Sequence, residues 1–89
     1  MPAETPNRRQ SPRSPASGAV QLSFEDPLPI TVEAQLQETS QQGFRISHSS
    51  RQLVPGLEVL LRRDGATHRA RVIWTHILDG RLVSGCLLL

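Results

Sequence analysis

Apolar residues alternate with polar residues along most of the chain after residue 17, and this alternation constrains the fold more than any other feature. Successive side chains of a β-strand point to opposite faces, so a period of two predicts strands with one buried face. The last run, residues 82–89, is apolar on both faces. The alternating apolar positions are Val20, Leu22, Phe24, then Ile30, Val32, Ala34, Leu36, then Phe44, Ile46, then Leu57, Val59, Leu61, and then Ala70, Val72, Trp74.

Turn-forming residues lie between these runs, at Asp26-Pro27, Gln41-Gln42-Gly43, Pro55-Gly56, Asp64-Gly65 and Asp79-Gly80. Asp-Gly between two apolar runs is a strong hairpin signal, and Pro-Gly favours a turn with glycine at positive φ. No segment of ten residues has a helical period, although residues 48–54 leave room for one short turn. The sequence therefore predicts six strands.

Six short antiparallel strands in 89 residues favour a single all-β domain, a six-stranded antiparallel barrel with little or no helix. Closure removes the sheet edges that so small a domain could not otherwise protect. We expect the barrel to span residues 18–89, with Trp74 in its core. Residues 1–17 contain four of the seven prolines and no large apolar residue except Met1, so they are expected to form a flexible N-terminal arm.

The composition excludes several classes of function. The only cysteine, Cys86, cannot form an internal disulfide, and no cysteines or histidines have metal-ligand spacing. No run is apolar for long enough to span a membrane, no signal peptide is visible, and no nucleophile, base and acid occur in a catalytic pattern. We expect a cytoplasmic protein that is not an enzyme, has no cofactor and does not insert into membranes.

All ten basic residues are arginine, which binds phosphate and the guanine edge as a planar fork. Two polar elements then stand out. The first is the arm segment Arg8-Arg9-Gln10-Ser11-Pro12-Arg13, and the second is Glu38-Thr39-Ser40-Gln41-Gln42-Gly43, between the second and third predicted strands. Each element alone is typical of an ordinary tail or an ordinary turn. Arg62, Arg63, Arg69 and Arg71 are expected to form an outer basic strip, most simply a solvated face.

The two elements, in this order before a sheet, resemble the PilZ family, whose pattern is RxxxR followed by [D/N]xSxxG. Arg9 to Arg13 fits RxxxR, and Glu38 to Gly43 fits xSxxG with Glu where Asp or Asn is usual. Gly43-Phe44-Arg45-Ile46, Leu53-Val54-Pro55-Gly56-Leu57-Glu58-Val59 and Ala70-Arg71-Val72-Ile73-Trp74 follow in the family's order.

The resemblance implies a six-stranded barrel whose arm closes over cyclic di-GMP and signals to a partner protein. It implies that Arg9 and Arg13 contact guanine and phosphate, and that Ser40 and Glu38 hold a guanine edge. Gly43 would permit the turn and a close approach of the ligand. Arg8 is a further candidate contact.

Two other functions stay open. A degenerate PilZ domain would act as a protein-interaction adaptor without binding the nucleotide, and Glu38 favours this alternative. A barrel that binds RNA or DNA would use the arginines differently, but the sequence predicts no exposed aromatic residues for base stacking, so no nucleic-acid polymer is expected. The chain ends directly after the last predicted strand, at Leu89, so an apolar patch is expected there that a partner or a homodimer would cover.

Overall fold

The structure is a computed structural model that describes residues 14–15 and 17–89. This part of the chain is all-β and contains no helix, and it therefore has none that is long and apolar enough to span a membrane. Seven strands follow one another along the chain: β1 Ser14–Pro15, β2 Ala19–Glu25, β3 Pro29–Thr39, β4 Gly43–His48, β5 Glu58–Arg63, β6 Ala66–Leu78 and β7 Arg81–Leu88.

The six longer strands close into an antiparallel barrel, as the alternation predicts. Their neighbours around the barrel follow the order β3, β2, β5, β6, β7 and β4, and β4 pairs in turn with β3. β3 can close the barrel because it is long: residues 29–35 pair with β2, and residues 35–39 pair with β4 on the other side. The prediction of a six-stranded barrel is thus confirmed.

The short strand β1 lies in the segment that the sequence assigns to the N-terminal arm. Ser14 pairs with Thr39 and Pro15 pairs with Glu38, so β1 extends β2 along the same side of β3. The N–H of Leu36 donates to the carbonyl of Gly18 where β1 gives way to β2. The last residues of the predicted arm therefore run beside the strand that leads into the Ser40 turn.

Aliphatic side chains fill most of the barrel, because every strand turns alternate residues inward. Leu22 and Ile46 have no exposed surface, and Phe24 and Phe44 are the aromatic residues of the core. The remaining core residues are Val20, Ala34, Leu36, Leu53, Val59, Leu61, Ala70, Val72 and Cys86. Except for Leu53, which lies in the loop after β4, all belong to the alternating or apolar runs of the sequence.

The predicted turns form where the dipeptides occur. Asp64 and Gly65 have φ of 52° and 80°, and Asp79 and Gly80 have φ of 52° and 77°. Two successive residues with positive φ define the type I′ turn, whose twist matches that of a β-hairpin. Gly56 also has positive φ, at 97°, as Pro55-Gly56 predicts. A turn at Arg51 and Gln52 occupies the short segment after β4.

The prediction that Trp74 lies in the core is wrong, because β6 contains a bulge. The pairing of β6 with β7 shifts between Val72, which pairs with Cys86, and Trp74, which pairs with Gly85. Since Val72 and Cys86 point into the core, Gly85 and Trp74 point outward. Trp74 is half-buried on the outer surface of the barrel.

Candidate functional site

The turn between β3 and β4 is organised by Ser40. Its backbone N–H donates to the carbonyl of Gly43 at 2.9 Å, and its Oγ accepts from the N–H groups of Gln42 and Gly43, both at 3.2 Å. The hydroxyl therefore fixes the turn by accepting, and among the described residues it has no acceptor for its own proton. Ser40 is half-buried, so a ligand on the surface of the turn can reach this donor.

Gly43 is required for a reason different from the predicted one. Its φ does not lie in the left-handed region, so the turn does not need the conformational freedom of glycine. A Cβ at this position would instead overlap the backbone carbonyl of Cys86 and lie 3.3 Å from the Cα of Leu87. Gly43 thus allows β4 to pack closely against β7 at the start of the strand.

Glu38 lies beside Arg45 on the neighbouring strand. The two residues pair across β3 and β4 after a register shift between Leu36 and Glu38. Arg45 Nη2 lies 3.3 Å from Glu38 Oε2, and the two side chains are 35% and 23% exposed. Arg45 Nε is buried and has no hydrogen-bond partner among the described residues. The partly buried guanidinium therefore holds the Glu38 carboxylate close to the turn.

The pairing of β1 brings the predicted arm to the same place. Pro15 pairs with Glu38, and Ser14 pairs with Thr39, the residue before Ser40. The predicted ligand-binding residues Arg8, Arg9 and Arg13 lie outside the described residues. Arg13 is bonded directly to Ser14, so the RxxxR segment is joined to the barrel beside Glu38 and the Ser40 turn.

An aromatic surface lies on the same outer face. A Cβ on Gly85 would overlap the indole of Trp74, so the ring covers the glycine backbone. The imidazole of His76 stacks on Trp74 with a centroid separation of 5.1 Å and an interplanar angle of 25°. Gly85 also pairs with Arg45, so Arg45, Gly85 and Trp74 form one row across β4, β7 and β6. The sequence contained one indication of this arrangement, a glycine within the largely apolar run of residues 82–89.

The four arginines of the predicted outer basic strip are exposed on β5 and β6. Glu58 lies between two of them, with Arg71 Nη2 at 2.9 Å and Arg69 Nη2 at 3.4 Å. These hydrogen bonds lower the pKa of the Glu58 carboxyl. Because a carboxylate partly neutralises the strip, its local charge is weaker than the run of arginines indicates.

A buried hydrogen-bonded chain closes the other end of the barrel. The N–H of Ser50 donates to Nδ1 of His48 at 3.1 Å, so the neutral imidazole carries its proton on Nε2. Nε2 then donates to Ser84 Oγ at 2.7 Å, Ser84 donates to Thr75 Oγ1 at 2.6 Å, and Thr75 donates to the carbonyl of Leu53 at 2.6 Å. Ser84 is 0% exposed, so no substrate reaches its hydroxyl, and the chain is structural.

The region around the Ser40 turn combines a hydroxyl donor, a carboxylate acceptor, a guanidinium and an aromatic face. Such a set suits a planar heterocycle that carries both hydrogen-bond donors and acceptors. Among the described residues, no group of three His, Cys, Asp or Glu side chains is arranged to hold a metal ion.

No protein-family model matches the chain, and no curated protein matches it. The candidate site is therefore defined by the geometry around the Ser40 turn and by the sequence motifs on either side of it.

Proposed function

We propose that this chain is a receptor module that binds cyclic di-GMP between its N-terminal arm and the Ser40 turn. The observation that supports the proposal is the pairing of β1 with β3, at Ser14–Thr39 and Pro15–Glu38. This pairing brings the two residues that follow the first motif beside the first residues of the second motif, which lies more than twenty residues further along the sequence. Neither motif alone distinguishes a ligand site from a tail or a turn.

Each residue has a chemical role in this proposal. Arg9 and Arg13 bind phosphate oxygens or the O6 and N7 atoms of guanine as bidentate donors, and Arg8 adds a further contact. Ser40 donates its hydroxyl proton, and Glu38 accepts from the N1 and N2 hydrogens of guanine. Gly43 acts indirectly by fixing β4 against β7.

Arg45 and Trp74 add two roles that the motifs do not contain. Arg45 is a positioning residue in this proposal, because its guanidinium lies 3.3 Å from the Glu38 carboxylate and so fixes where that acceptor lies beside the turn. The indole of Trp74 offers a face on which a purine can stack. The backbones of these residues lie two strand spacings apart, about 10 Å.

Binding would draw the arm and the barrel together around one ligand. The outer surface near Glu38 and the Ser40 turn would then change in shape and charge, and a partner protein would recognise the changed surface. The signal in this proposal is the rearranged surface, with no chemical conversion of the ligand.

Isothermal titration calorimetry in low salt tests the proposal. We expect cyclic di-GMP to bind the native protein and Arg13→Ala to weaken binding by about tenfold or more, because a hydrogen bond to a charged group contributes about 1.5–3 kcal/mol. Arg62→Ala is the matched control: it removes an exposed arginine from β5 and should leave the affinity unchanged. An absence of heat at high ligand concentration would overturn the proposal.

The second candidate, a PilZ-like adaptor that does not bind the nucleotide, is favoured by the engagement of Glu38 with Arg45. If the longer glutamate side chain is held away from the ligand, Glu38→Asp should restore an acceptor to the usual position. A large gain in affinity in Glu38→Asp would support the adaptor, whereas native binding that is unchanged or weakened by this substitution would support the receptor.

A further inference from the structure

One edge of β3 is open at the end of the barrel opposite the Ser40 turn. Residues 29–35 pair with β2 on one side, but β4 pairs with the other side only along residues 35–39. Residues 29–34 therefore have no partner on that second side within the part of the chain that the structure describes. An unpaired edge presents N–H and C=O groups that can pair with another chain.

The edge is open because the chain turns away at the end of β4. The N–H of Ser50 donates to His48 Nδ1 at 3.1 Å, and the N–H of Gln52 donates to Ser50 Oγ at 3.2 Å. These bonds bend the chain away from the line of β4. The loop then anchors at the barrel end, where Thr75 donates to the carbonyl of Leu53. No described residue pairs with β3 at the position that a longer β4 would occupy.

A groove of about 800 Å³ lies at the end of this edge nearest β4, where Glu33 and Ala34 line it. Three successive residues of β3, Glu33, Ala34 and Gln35, line it, and successive residues of a strand point to opposite faces. The groove therefore reaches the edge of β3 at residues 33–35 and continues over the loop after β4 and the ends of β6 and β7. Its other lining includes the apolar side chains of Val54 and Ile77, which are 51% and 72% exposed.

Two arginines and one carboxylate give the groove a net positive charge. Arg51 and Arg81 line it, and neither forms an ion pair with any residue that the structure describes. Glu33 is the lining carboxylate, and its Oε2 accepts from Gln21 Nε2 at 2.9 Å. The groove thus combines a hydrogen-bonding edge, apolar side chains and two cations without carboxylate partners among the described residues.

We propose that this groove binds an extended segment of a partner protein, which adds to the barrel as a strand antiparallel to β3. The segment carries apolar side chains that contact Val54 and Ile77 and at least one carboxylate that pairs with Arg51 or Arg81. The open edge of residues 29–34 extends for about 20 Å, enough for a strand of roughly six residues. Strand addition takes affinity from backbone hydrogen bonds and specificity from alternate side chains. This site does not depend on cyclic di-GMP.

Fluorescence anisotropy with a labelled heptapeptide, Asp-Val-Asp-Val-Thr-Val-Asp, tests the proposal on the whole protein. Two derivatives of the probe carry N-methyl groups on alternate amides, one on the odd positions and the other on the even positions. Only one of these sets points toward β3 in an added strand. We expect one derivative to bind at least about tenfold more weakly and the other to bind within about twofold of the parent probe.

Protein variants test the charged part of the groove. At least one of Arg51→Ala and Arg81→Ala should weaken binding of the parent probe by about threefold or more, whereas Arg62→Ala should have no effect. Amide hydrogen exchange should show new protection within residues 30–34. The proposal would be overturned if both methylated probes bound equally, if neither arginine substitution changed the affinity, or if no binding occurred at a millimolar concentration of the probe. A dimer in sedimentation that already protects residues 30–34 would also overturn it, because a second copy would then occupy the edge.

Discussion

The indole of Trp74 lies against the backbone of Gly85 on the neighbouring strand, where any Cβ would overlap the ring. The bulge in β6 creates this contact by turning Trp74 out of the barrel. Trp74 is the only tryptophan of the chain. The fluorescence of its half-buried indole is therefore a probe of the outer face on which Arg45 and Glu38 also lie.

Gly85→Ala should displace the indole without unfolding the barrel. The added methyl meets a side chain that can rotate away, so we expect a cost of about 1–2 kcal/mol in the free energy of unfolding. The fluorescence emission should shift to the red as the ring becomes more exposed to water. Thr67→Ala, a substitution of an exposed residue on β6, the strand of Trp74, should leave the emission maximum unchanged. An unshifted spectrum for Gly85→Ala would contradict the contact between Gly85 and the indole.

Gly43→Ala should be the more damaging of the two glycine substitutions. Its Cβ would meet the backbone carbonyl of Cys86, which cannot move unless β4 and β7 separate. We expect a loss of about 2–4 kcal/mol, measured by urea denaturation alongside Gly85→Ala. If Gly43→Ala proves as mild as Gly85→Ala, the close approach of the two strands is incorrect.

His48 should make the stability of the barrel depend on pH. Burial lowers the pKa of its imidazole below the ordinary value of 6.5, so the unfolded chain binds a proton first as the pH falls. The neutral imidazole makes its full contribution to stability above about pH 6.5, and this contribution is lost as the pH falls from there through the pKa of the folded state. The free energy of unfolding should fall by at most about 1.4 kcal/mol per pH unit on this account.

The difference between the native protein and His48→Gln isolates this contribution. Urea denaturation between neutral pH and mildly acidic pH should show a smaller loss of stability for His48→Gln than for the native protein. His68→Gln replaces an exposed histidine and should follow the native curve. If the free energy of unfolding fell equally with pH in all three proteins, the buried imidazole of His48 would not be responsible for the pH dependence.

Arg45→Ala tests whether this arginine positions Glu38 for the proposed ligand. The substitution removes the Arg45 contact to the carboxylate, and we expect the affinity for cyclic di-GMP to fall by about threefold to tenfold. Stability should change little, since partly exposed ion pairs contribute at most about 1 kcal/mol. Arg45→Lys should recover part of the affinity. An affinity that Arg45→Ala raises would instead mean that the arginine competes with the ligand for Glu38.

Cys86 should be unreactive in the folded protein. Its thiol is buried and 6% exposed, and burial raises its pKa to about 12. Because the thiolate is the reactive form, a disulfide reagent at mildly alkaline pH should modify the native protein only through transient opening of the barrel. The labelling rate should rise in urea in parallel with the unfolded fraction. Rapid labelling without urea would place Cys86 at the surface.

Local sequence was enough to predict the six longer strands and the turns between them. The alternation from Val20 to Phe24 is a property of neighbouring residues, and it requires one buried face whichever strand lies alongside. The φ angles of Asp64-Gly65 and Asp79-Gly80 follow in the same way from the residues themselves. The sequence also placed Glu38, Ser40 and Gly43 together at one turn, since only a few residues separate them.

Only the tertiary structure decided which residues lie opposite each other on neighbouring strands. The alternation of Val72 and Trp74 predicted one shared face, but the pairing of β6 with β7 inserts a bulge and sends Trp74 outward. Gly43 proved necessary because of Cys86 on β7, a strand far along the chain that pairs directly with β4. The Glu38–Arg45 pair, the β1 pairing and the open edge of β3 likewise depend on register. A periodic pattern specifies which residues share a face within one strand, whereas register, bulges and closure are set by contacts between residues far apart in the chain.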